Sequence, residues 1–90
     1  MSFDFYRLVL EKGMEGKSPR ERAAWLTSQP MLSDALKELL LTPDHLLVAT
    51  IRRKREEFPA FAGALGWLLE RGEGWLIETA REARRLRGQS

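Results

Sequence analysis

Apolar and polar positions recur along most of this chain at the spacing of helical faces. In residues 2–12, Phe5, Leu8 and Val9 share one side with Tyr6 and Leu10 beside them, which predicts an amphipathic helix. Residues 19–27 predict a second helix that turns Ala23, Ala24, Trp25 and Leu26 partly inward. A short third helix is expected from Ser33 as N-cap, with Leu36, Leu39 and Leu40 on one face and Asp34, Lys37 and Glu38 outside. Residues 43–57 carry the stripe Leu47, Ile51 and the Lys54/Arg55 region, so burial is expected in the N-terminal half of a fourth helix. Residues 74–87 place Leu76, Ala80 and Ala83 at i, i+4 and i+7, with Leu86 extending the stripe.

Residues 58–69, FPAFAGALGWLL, break this pattern. They hold no charge and no hydrogen-bonding side chain except the Trp67 indole. A helix that is apolar all round must be enclosed, by the rest of the fold or by another molecule. Its small face is Ala60, Gly63, Ala64 and Trp67, and its bulky face is Phe61, Leu65, Leu68 and Leu69. Gly63 and Gly66 each cost about 1 kcal/mol against alanine in a helix, so a close approach of another backbone is expected there.

Punctuation supports these boundaries. Ser18-Pro19-Arg20-Glu21 combines a cap, a proline at the first helical position and the glutamate of a capping box. Thr42-Pro43-Asp44 suggests a threonine cap with an acidic first turn, and Pro30 and Pro59 interrupt likewise. Gly13 and Gly16 are expected to bracket a turn, and Gly72 and Gly74 to break the chain around Glu73. Strand signals are missing: there are two Val and two Ile, and no alternating run. The expectation is an all-α fold, a compact orthogonal bundle of five or six short helices forming one domain over residues 1–90, with 87–90 as a frayed tail.

Composition narrows the chemistry. The absence of cysteine from ninety residues removes disulfides, thiolate catalysis and sulfur-ligated metals. The apolar stretch is shorter than the roughly 20 residues a bilayer crossing needs, and Asp4 and Arg7 interrupt the N-terminal apolar region, so no membrane association or secretory signal is expected and the location is read as cytoplasmic. The chain has no Asn, two Gln, and 11 Arg against 4 Lys, a composition found in proteins of hot environments and also in those of GC-rich mesophiles.

Charge defines one candidate site. Arg52-Arg53-Lys54-Arg55 is a cationic run, and Arg84, Arg85 and Arg87, with Arg81 before them, form a second. Together Arg52, Arg53, Lys54, Arg55, Arg84, Arg85 and Arg87 could grip a nucleic-acid backbone without reading sequence. Residues 50–90 carry net +3 and residues 1–49 net −1, a modest asymmetry. Glu56 and Glu57 stand four residues after Arg52 and Arg53, where they weaken the external field. The third helix would be the recognition helix of a helix-turn-helix, and its outward Ser33, Asp34, Lys37 and Glu38 lack the Arg, Asn and Gln that read bases.

For catalysis the inventory is thin. His45 is the single histidine, the aspartates are scattered, no HxxxH or nucleophile–base pair occurs, and GMEGKS lacks the spacing of a phosphate loop. No catalytic, cofactor or metal site is expected. The leading expectation is a non-enzymatic protein that works by contact with another protein, a second copy of itself included. Its interface is expected to draw on Phe61, Leu65, Trp67, Leu68 and Trp75 with Arg71, while Arg81 and Arg84 tune orientation. Nucleic-acid backbone binding is the alternative.

Overall fold

The Ser18 hydroxyl accepts from the Glu21 amide and the Glu21 carboxylate accepts from the Ser18 amide, both at 3.2 Å. This reciprocal capping box, with Pro19 at the first helical position, starts a helix where the sequence predicts one. The computed structural model describes residues 5–29, 38, 39 and 41–88. Five α-helices are delimited among them: α1 (Phe5–Met14), α2 (Pro19–Thr27), α3 (Leu47–Glu57), α4 (Ala62–Arg71) and α5 (Glu73–Gly88). Short 3-10 turns, Asp44–Leu46 and Pro59–Phe61, lead into α3 and α4. Glu38, Leu39 and Leu41 are also helical. The Ser33 cap and the Leu36 and Leu40 positions of the expected third helix lie outside the described residues.

The fold is an all-α bundle, and no strand occurs among the described residues. Its radius of gyration, 12.2 Å, equals what a compact domain of this length should show. The apolar α4 is enclosed from within the chain. Ala64, Leu65, Trp67 and Leu68 pack in one core with Leu10 and Met14 of α1, Leu47 and Ile51 of α3, and Leu76 and Ala80 of α5. A second small cluster joins Ala23 of α2 to Ala83 of α5, where two alanines let the helices approach closely. The α5 stripe falls on Leu76, Ala80 and Ala83 as expected, with Thr79 buried beside them.

Several boundaries differ from the expectation, each for a local reason. α1 continues through Gly13 to Met14, and the turn is made by Gly16 at φ 74°. Gly13 is buried under Trp25: a Cβ there would stand 2.0 Å from the indole, so this glycine serves side-chain packing. Thr42 does not cap α3 or the turn before it; its hydroxyl donates back to the Glu38 carbonyl at 2.9 Å. Gly72 alone, at φ 98°, makes the break after α4, and Gly74 is already inside α5. Helical structure extends through Arg87 and Gly88, the first two residues of the expected frayed tail. On α2, Ala24 is exposed while Arg22 and Ala23 are buried.

Candidate interaction surface

Trp67, expected at a partner surface, is 2% exposed. Its ring meets Trp75 edge-on at 5.8 Å between centroids, with the planes at 88°. Two arginines complete the stack: Arg22 lies 4.3 Å from the Trp75 centroid and Arg71 lies 4.8 Å from that of Trp67. Leu65 and Leu68 are buried in the same core. Leu65, Trp67 and Leu68 therefore hold the bundle together and offer no outer surface. Trp75, Arg71 and Phe61 are half-buried at its margin.

Arg22 is the residue that sequence reasoning missed. Its Nε donates to Thr79 Oγ1 at 2.8 Å, one terminal nitrogen donates to the Lys17 carbonyl at 2.9 Å, and the other reaches the Trp75 carbonyl at 3.4 Å. Burial lowers the guanidinium pKa, and the Glu78 carboxylate, 3.8 Å away, opposes that shift. One signal was available: Arg22 shares a helical face with Trp25 and Leu26 at i, i+3 and i+4.

Two of the four large apolar side chains exposed among the described residues, Phe5 and Phe58, lie where α1 begins and where α3 turns into α4. Pro59 lacks an amide hydrogen and opens the 3-10 turn, so α3 stops and the chain reverses. That reversal leaves Phe58 40% exposed, with Pro59 and Ala60 outward. One turn on, Phe61 packs against Tyr6 of α1 at 4.5 Å, and Tyr6 meets Phe5 edge-on at 5.8 Å. Phe5 is 50% exposed. Along the seam between α1 and the C-terminal end of α4, Arg7 pairs with Glu11 at 3.0 Å and with Glu70 at 3.7 Å, and Glu70 with Arg71 at 3.7 Å. Leu41 and Leu46, on either side of Pro43, are also exposed.

The two basic runs are largely neutralised within the chain. Arg53 pairs with Glu57 at 3.6 Å. Lys54 is buried, in close contact with the Glu38 carboxylate and 3.8 Å from that of Glu57, with the Phe58 ring 5.4 Å from its Nζ. Arg55 lays its guanidinium on Gly66, 3.2 Å from where a Cβ would stand, so the close approach at this glycine is made by a side chain rather than a backbone. Arg84 binds Asp44 closely and Arg81 Nε donates to the same carboxylate at 2.8 Å. These bonds hold the Asp44 carboxyl below the usual carboxylate range. Arg85 pairs with Glu82 at 2.6 Å. Among the described residues Arg52 has no ion-pair partner, and the Arg52–Glu56 contact suggested by their spacing is not formed.

His45 is exposed in the turn before α3. Among the described residues no three His, Cys, Asp or Glu side chains converge on a metal-sized site, and no helix is long and apolar enough to cross a membrane. A cavity of about 40 Å³ is lined by side chains from all five helices, among them Met14, Leu26, Ile51, Leu68 and Leu76. That is far below the roughly 150 Å³ at which an apolar cavity takes up a small aromatic molecule. No known protein family, curated protein or solved structure matches the chain.

Proposed function

We propose that this protein is a non-enzymatic contact module that docks on another protein through the aromatic end of its bundle. The observation that carries the reading is the exposure of Phe5, whose ring meets Tyr6 of the Tyr6–Phe61 contact, and of Phe58, one turn before Phe61. Aromatic groups held rigidly and half wet are the side chains that supply most binding energy when a partner covers them. Arg7, which follows Tyr6, and Glu57, which precedes Phe58, add charges of both signs, as at the polar rim of an ordinary interface. A cytoplasmic location fits a cysteine-free chain.

A photo-crosslinking residue placed at Phe58 and, as control, at the exposed Arg20 of α2 tests the reading inside cells that make the protein. Discrete adducts at Phe58, lost when Phe5→Ser is added, are expected. Adducts that form equally from Arg20, or none from Phe58, would remove the aromatic end from consideration.

A further inference from the structure

We infer that the segment from Glu38 to Leu46 is an autoinhibitory strap: it fills a groove between α3 and α5 that fits an acidic segment of another protein, with a leucine seated between two carboxylates. The strap meets the bundle through an apolar plug and two ion pairs. Leu39 is 5% exposed and stands in the wall of the cavity beside Leu47 and Ile51 of α3 and Leu76 and Ala80 of α5. On one side of it the Glu38 carboxylate contacts Lys54 closely. On the other, Asp44 binds Arg84 closely and accepts from Arg81 Nε at 2.8 Å. Helical register explains where these cations stand. Leu47, Ile51 and Lys54 follow one another at i, i+4 and i+7 and are all buried, while Leu76, Ala80 and Arg84 follow at i, i+4 and i+8. Each apolar stripe that lines the cavity therefore continues into a cation, and each cation takes one of the strap's carboxylates. Leu41, Pro43, His45 and Leu46 are exposed, and the bonds donated by Thr42 and by the Leu46 amide run to Glu38, Leu39 and Pro43, within the strap itself. It can lift as a unit without breaking them. Once it lifts, Arg81 and Arg84 have no carboxylate among the described residues, and Lys54 is left with Glu57 at 3.8 Å, which Arg53 shares at 3.6 Å. Such a groove attracts acidic segments and repels basic ones. In the resting chain it stays closed, because the strap runs directly into α3 and competes at an effective concentration on the order of millimolar.

Titration with a synthetic peptide of residues 38–46 reads the inference, with amide shifts of the labelled full chain as the signal. The receiving chain carries Glu38→Gln and Asp44→Asn, which remove both ion pairs of the strap, and circular dichroism confirms that it remains helical. Added peptide should shift Leu47, Ile51, Leu76 and Ala80, and should bind this variant at least about tenfold more tightly than the wild-type chain, whose own strap competes. A peptide bearing the same two substitutions should bind the variant at least about tenfold more weakly, because it brings no carboxylate to Lys54, Arg81 and Arg84. Asp44→Asn alone should show the same gain to a smaller extent, which keeps the test decisive if the double variant unfolds. Equal affinity for variant and wild type overturns the inference, as do shifts that miss these four residues or binding indifferent to the peptide's carboxylates.

Discussion

The Arg22 guanidinium lies over the Trp75 ring at 4.3 Å and fastens α2 to α5 across 53 positions of sequence. Its three donating nitrogens find one side-chain and two backbone oxygens, so the buried charge is solvated by the fold. Replacing Arg22 with Ala should lower stability by about 2–4 kcal/mol in urea denaturation, through lost charged hydrogen bonds and lost packing. Arg22→Lys should recover little of this, because a single ammonium cannot copy the guanidinium fork. A lysine variant as stable as wild type would show that the fork is not what joins the helices.

Two glycines should respond to alanine with opposite signs. At Gly13 a Cβ would run into the Trp25 indole at 2.0 Å, so Gly13→Ala must push the ring out and should destabilise by about 1–3 kcal/mol, the range for overpacking. At Gly74, near the start of α5, a Cβ meets nothing within 4 Å, and Gly74→Ala should stabilise by about 0.5 kcal/mol. Thermal unfolding of the two variants side by side checks both signs.

The contrast between these glycines also marks where the sequence was readable. Ser18 and Glu21 are three residues apart, and their chemistry is local, so the start of α2 could be placed to the residue. The stripe of Leu76, Ala80 and Ala83 is equally local. Gly13 and Gly74 both look like helix breakers in isolation. Only the position of Trp25, twelve residues from Gly13, decides that the first is a packing site. Residues 58–69 are uniformly apolar, so no pattern within them separates the buried Leu65, Trp67 and Leu68 from the exposed Phe58 and Ala60. α1, α3 and α5 settle that question, by covering one stretch and leaving the other. Arg22 carried a facial signal, but its acceptors lie on Lys17, Trp75 and Thr79, and two of these belong to a distant helix.

Acid should loosen the junction between the Asp44 turn and α5. Hydrogen bonds from Arg84 and Arg81 keep the folded Asp44 carboxyl below its ordinary pKa. Its contribution is therefore fully present above the unfolded value, near about 4, and is lost as pH falls through the lower folded value. Glu38, lowered by its contact with Lys54, acts in the same direction. Asp44→Asn should be less stable than wild type at neutral pH, with the difference closing as pH falls through the lowered carboxyl value of the folded chain. A gap between the two chains that stays constant from pH 7 to pH 2 would mean that Asp44 gains nothing from its arginines.

Nucleic-acid binding should be weak and only shallowly dependent on salt. Arg53, Lys54, Arg84 and Arg85 already face carboxylates within the chain. Few cations are left to displace counterions, so a plot of log affinity for duplex DNA against log salt should be no steeper than about −2. A slope near −6 would mean that the ion pairs open to phosphate and that the basic runs form the working surface.

The role of the aromatic end as a contact surface is most directly tested by amide chemical shifts of the isotopically labelled chain, recorded in dilute buffer and inside cells that make it. Signals that shift or broaden in the cell should gather on residues 5–7, 58, 60 and 61, leaving the centre of α5 unchanged. Signals identical in both settings, or that change only along residues 52–55 and 81–87, would contradict the account.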